Sequence, residues 1–214
     1  MKKTFSVVAC LFVLLMLPGV SLSATSATPR PYLSSHLGVT LMPDGDMTDS
    51  SLAATGTIEY KPGGAIDFAA GCNFAMFRME GEIGYQRNEM DKAKVCSGGS
   101  CVYGSLNDSN IYALSFLGNV YLDFVNSSPF TPYIGGGLGV AYAKAEISEK
   151  NGFKNSYNDT VFAYQVGAGI AFAINPHMAI DLKYRYFATT DLDLGTTKTT
   201  FASHNIYGGF RYTF

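Results

Sequence analysis

Residues 77–86, FRMEGEIGYQ, set Arg78, Glu80 and Glu82 at every second position of an otherwise apolar stretch. Residues 178–187, MAIDLKYRYF, do the same with Asp181, Lys183 and Arg185. Charges recurring at period two lie on one face of a strand. Opposite charges on facing strands can form ion pairs away from water. The expected pairing sets Glu80 and Glu82 against Lys183 and Arg185. Asp67, Gln165 and Arg211 fall on the matching parity of their own stretches and can join. A device for stability and register is the first reading of this set; a gate or proton pathway is the second.

Catalytic sets are harder to assemble. The histidines are His36, His177 and His204, and Ser203 adjoins His204 on the opposite parity. No His-x-Ser pattern occurs, so a nucleophile and its base do not meet. No catalytic residue and no cofactor are expected, and the chain does not read as an enzyme. Asp44, Asp46 and Asp49 cluster in PDGDMTD but lack the glycine and terminal glutamate of an EF-hand loop. They read as a solvated acidic loop, and no metal site is assigned. Cys96 and Cys101 bracket SGGS, which permits a small disulfide loop in an oxidising compartment. Cys72, on an apolar parity, reads as a small hydrophobe.

The elements that would position these groups are strands. Alternation recurs in eight segments, at 32–42, 65–74, 77–86, 111–124, 132–143, 161–174, 178–187 and 203–214. Connectors near 75–76, 125–130 and 175–177 are short. Polar connectors at about 43–63, 88–109, 144–160 and 188–201 are long and read as solvated loops. Short turns at one end and long loops at the other define an up-and-down meander. Residues 1–23 combine a basic start, an apolar run and small residues at Ser21 and Ser23, which reads as a signal peptide. Residues 24–214 then form one domain. The net charge of −2 gives no reason to expect nucleic acid.

Parity alone does not say which face is inside. The less apolar face is dominated by Gly, Ala, Ser and Asn, with glycine runs in GGGLG (135–139) and GAG (167–169). Glycine on a water-facing sheet weakens the strand and packs nothing. A narrow eight-strand lumen has room only for small side chains and a few paired large ones. The bulky Phe, Tyr, Leu and Ile then point outward, where only lipid stabilises them. The expected fold is therefore all-β, an eight-stranded antiparallel up-and-down transmembrane β-barrel with its charges in the lumen.

The alternating strands, TPYIGGGLGVAYA at the fifth of them and the terminal YGGFRYTF together resemble the small outer-membrane β-barrels of the opacity-protein and surface-antigen type. They are similar also to the barrel domain of outer-membrane protein A. The resemblance implies a cell outer-membrane location and an assembly signal at Gly209, Tyr212 and Phe214. It also implies outer-membrane lipid and the barrel-assembly machinery as partners, in a protein expected to be monomeric. A structural or surface-display role follows, with host or cell-surface ligands engaged by the long loops. A narrow solute channel is the alternative, and a lipid-modifying barrel enzyme ranks below it. The absence of Trp leaves Tyr and Phe to form the aromatic girdles.

Overall fold

The computed structural model describes residues 28–49, 54–97, 100–106, 108–148, 154–193 and 198–214. The expected signal peptide lies outside these residues. The strands are β1 (Arg30–Leu41), β2 (Gly45–Asp49), β3 (Ala54–Tyr60), β4 (Gly63–Phe74), β5 (Phe77–Ser97) and β6 (Ser100–Ser105). They continue as β7 (Asn110–Asp123), β8 (Phe130–Ser148), β9 (Lys154–Asn175), β10 (Met178–Asp193) and β11 (Lys198–Thr213). Hydrogen bonding runs β5–β4–β1–β11–β10–β9–β8–β7, and β7 pairs back to β5. Eight antiparallel strands thus close a ring, which leaves no unpaired backbone edge in the wall.

Side chains sort by parity around this ring. Leu37, Phe68, Phe116, Leu138, Val166 and Leu182 point outward and are exposed, Leu37 to 70%. On the alternate positions Asp67, Asn119, Asp181 and Asn205 are at most 1% exposed. Reversing the faces would put bases against hydrocarbon, at ~2–4 kcal/mol each near the midplane. A one-residue slip of β5, β10 or β11 does the same, so the charges and the apolar face specify one register.

At several inner positions glycine stands where a neighbouring strand sends a large side chain across it. Gly137 lies opposite Asn119, and a Cβ there would sit 1.8 Å from the Asn119 Oδ1. Gly169 lies opposite Tyr133, with a Cβ 2.5 Å from the phenol. The glycine runs are therefore the complement of the large inner residues, layered flat against backbone.

One expectation needs correction. The polar connectors are largely strand: β5, β8 and β9 span 21, 19 and 22 residues, against the 9–11 that cross a bilayer. Once a hairpin pairs at its base, the ladder continues through Thr, Asn and Lys, because backbone bonds do not require apolar side chains. Above the ring, β2, β3, β5 and β6 form a four-stranded sheet.

The inward fit predicts an asymmetric response to small substitutions. Gly137→Val is expected to cost roughly 1–3 kcal/mol by overpacking. Gly81→Ala faces outward with no atom within 4 Å of the added carbon, so it is expected to change stability by less than about 0.5 kcal/mol. Urea unfolding followed by heat-modifiable gel migration measures both.

Candidate functional site

The inner charges meet in a layer across the lumen. Arg185 Nη1 donates to Glu82 Oε1 at 2.7 Å. Lys183 Nζ donates to Asp67 Oδ2 at 3.0 Å and lies 3.8 Å from Glu82. Arg211 donates two hydrogen bonds to Asp181. Arg78 Nε donates to both oxygens of Asp123, at 2.9 and 2.8 Å. Gln165 donates to Asn119 Oδ1 at 2.8 Å and lies 3.4 Å from Glu82 Oε2.

Two parts of this arrangement differ from the pairing read from the strands. Glu80 has no basic partner within 4 Å among the described residues; Tyr32 donates to it at 2.7 Å and Asn119 at 3.1 Å. Arg78 turns away from the facing strands to Asp123. The reason is register: Glu80 and Asn119 are direct cross-strand partners. Asp123 lies diagonally across from Arg78, whose own partner is Tyr121. Neighbouring strands therefore compete with the opposite wall for each charge.

Aromatic rings complete the layer. The Arg78 guanidinium lies 4.7 Å from both the Tyr121 and Tyr133 ring centroids. Arg185 lies 4.7 Å from the Tyr207 ring and donates a hydrogen bond to its hydroxyl. Delocalised guanidinium on a ring face is attracted by the ring quadrupole, and more so out of water. Tyr32, Asn119, Tyr121, Asp123, Tyr133 and Tyr207 were not among the expected site residues. All lie on the inner parity of their strands, which is the signal that could have placed them.

Towards the long hairpins the lining turns apolar. Met90, Ile111, Leu117, Phe187 and Phe201 pack inside the ring, with Ile58 of β3 and the partly buried Tyr60 and Leu106 packed among them. Burial, then the Asp44 carboxylate, pushes the Tyr60 phenol up to about 12. The side chains of Asp46 and Asp49 lie outside the described residues. Two voids of about 10 Å³ in the ionic layer each have room for about one water.

The other candidates fall apart by position. Ser203 points inward, donating to Gln86 at 3.1 Å, while His204 points outward, 2.7 Å from the Tyr184 hydroxyl. His177 sits at the β9–β10 turn, stacked on Tyr212. Tyr212 and Phe214 pack edge to face on the outer wall. Gly209 faces the lumen, where an added Cβ would lie 2.0 Å from the His36 ring. Cys96 and Cys101 are register partners joined by a disulfide at the tip of β5 and β6. Beside it Val102 and Tyr103 are exposed, 71% and 66%.

Residues 12–214 match the model of the outer membrane protein beta-barrel domain. The chain belongs to that family. It is an outer-membrane β-barrel protein. A putative adhesin of Rickettsia conorii is 30% identical over 122 residues, 46% of this chain and 47% of that protein. Outer membrane protein PagN of Salmonella typhimurium is 31% identical over 106 residues, 46% of this chain and 40% of that one. The chain thus spans less than half the length of these relatives. Two solved structures share the fold, each at TM-score 0.56 and 18% identity over 86% of this chain. They are Neisserial surface protein A, covered to 97%, and OprG from Pseudomonas aeruginosa, covered to 96%.

The layer makes a direct prediction. Glu82→Lys sets a third positive charge against Lys183 and Arg185 and is expected to destabilise the barrel by about 3–5 kcal/mol. Adding Arg185→Glu is expected to restore most of the loss in urea unfolding. Failure of both Arg185→Glu and Lys183→Glu to rescue would remove the pairing as the source of stability.

Proposed function

We propose that this barrel is a closed anchor and that its extracellular sheet is an adhesive surface for host or cell-surface ligands, without catalytic activity. The observation that carries the reading is a filled lumen below a projecting sheet. Fixed ion pairs cross the axis, an apolar layer covers them, and the voids between hold about one water each. Hydrated ions would have to break buried salt bridges to pass, which disfavours a channel. Above that seal, β2, β3, β5 and β6 hold exposed Val102 and Tyr103 beside a disulfide. Rigid presentation lowers the ordering cost of binding.

The adhesin name of the Rickettsia relative supports the same direction. Ser203 and His204 point to opposite faces, which removes the nearest approach to a hydrolytic pair on the outer wall. The lumenal charges serve stability and register in this reading. Residues 1–23 direct export, and Gly209, Tyr212 and Phe214 mark the last strand for the barrel-assembly machinery, which inserts a monomer.

Two measurements test it. Planar-bilayer recording of the refolded protein is expected to show no steady nanosiemens openings; their presence would favour a pore. Cells displaying the protein are expected to attach to host cells, and Val102→Ser with Tyr103→Ser to reduce attachment at equal surface level. Unchanged attachment would move the binding surface elsewhere.

A further inference from the structure

The outer wall carries an apolar hollow with bases at one end. Gly64 on β4 faces outward between Val39 of β1 and Arg87 of β5, and no atom lies within 4 Å of a Cβ added there. The gap opens a hollow of about 520 Å³ walled by Leu37, Ile66 and Tyr85. Lys61 and Arg87 line its end nearest the long hairpins. Tyr112, the register partner of Arg87, has its ring 6.4 Å from that of Tyr85. Tyrosines on the outer wall of a barrel sit at the level of lipid headgroups.

We infer that this hollow binds a lipid of the outer leaflet that carries a phosphate monoester. Its acyl chain lies against Gly64 and Ile66, and its phosphate meets Arg87 and Lys61. Arg87 is held ready for an anion. Its Nε and Nη2 donate to Asn110 Oδ1 at 3.2 and 3.0 Å, and the guanidinium lies 5.5 Å from the Tyr112 ring centroid. Its Nη1 donates to no group, and no carboxylate lies within 4 Å of the guanidinium, among the described residues. A fixed planar fork with one free edge suits phosphate oxygens. Lys61 Nζ lies 3.6 Å from Glu89 and 3.7 Å from Asp91. Those pairs are exposed to water, where such contacts contribute little and exchange readily.

Position and charge select this occupant. Long hairpins mark the extracellular end of an outer-membrane barrel, so the basic end of the hollow opens on the outer leaflet. A phosphate monoester carries a charge of about −1.5 to −2 at pH 7, which two bases match. A second hollow of about 480 Å³ lies lower on the same wall, lined by Leu33, Phe68, Ile83 and Phe210 and by no charged residue. It can take an acyl chain but selects no headgroup. A second copy docked by the same face would bring identical bases together.

Native mass spectrometry of the refolded protein, titrated with lipid, provides the test. The probes are diphosphoryl lipid A, its dephosphorylated form and phosphatidylglycerol, a phosphate diester. Diphosphoryl lipid A is expected to bind more tightly than either of the others. Arg87→Gln and Lys61→Gln are each expected to weaken that binding about fivefold. Gly64→Val, which fills the hollow and keeps the bases, is expected to weaken it too. Arg30→Gln removes a base at the opposite end, beside Pro176, and is expected to change nothing. Heat-modifiable gel migration checks that each variant is folded. Equal binding of the three lipids by the wild type would overturn the inference without recourse to any variant. So would lipid A binding indifferent to Arg87 and Lys61, or a dimer that Gly64→Val dissociates.

Discussion

Hydrocarbon does not solvate charge, and everything in this chain is arranged around that fact. Closing eight strands into a ring satisfies the backbone in the wall. The alternation of the strands then sends each side chain either to lipid or to the axis. Residues such as Phe116 and Phe172 can face only one of these, and Asp67 and Asp181 only the other. The register of the whole barrel follows from that division.

Crowding at the axis sets the next level of structure. Nine buried acidic and basic groups among the described residues and a layer of tyrosines crowd the interior, where two voids each have room for about one water. The rings fit because glycine stands opposite them, as Gly135 does to Tyr121 and Gly169 to Tyr133. The same packing fills the lumen at the ionic layer. Beyond it the ends of β5, β8 and β9 extend as paired strands whose surface is limited by neither lipid nor lumen.

The architecture was legible in the residues because period two and the glycine-rich inner face are local properties of each strand. Arg185 and Glu82 could be paired for the same reason: parity and strand order bring them to one height. Glu80 could not, since its partners Tyr32 and Asn119 are chosen by the register of adjacent strands, and register is a property of two segments at once. Asp123 escaped for a related reason, being placed diagonally from Arg78 at the end of β7. The projecting sheet was read as loop because its composition is polar. Backbone pairing inherited from the barrel below overrides that composition.

The claim on which all of this rests is the assignment of the two faces. Nitroxide labels placed singly along β9, at 162, 164, 166, 170 and 172 and at the intervening 163 and 165, would be compared for oxygen accessibility in phospholipid vesicles. High accessibility is expected at every even position and low accessibility at 163 and 165. The opposite parity, or no alternation, would contradict the account.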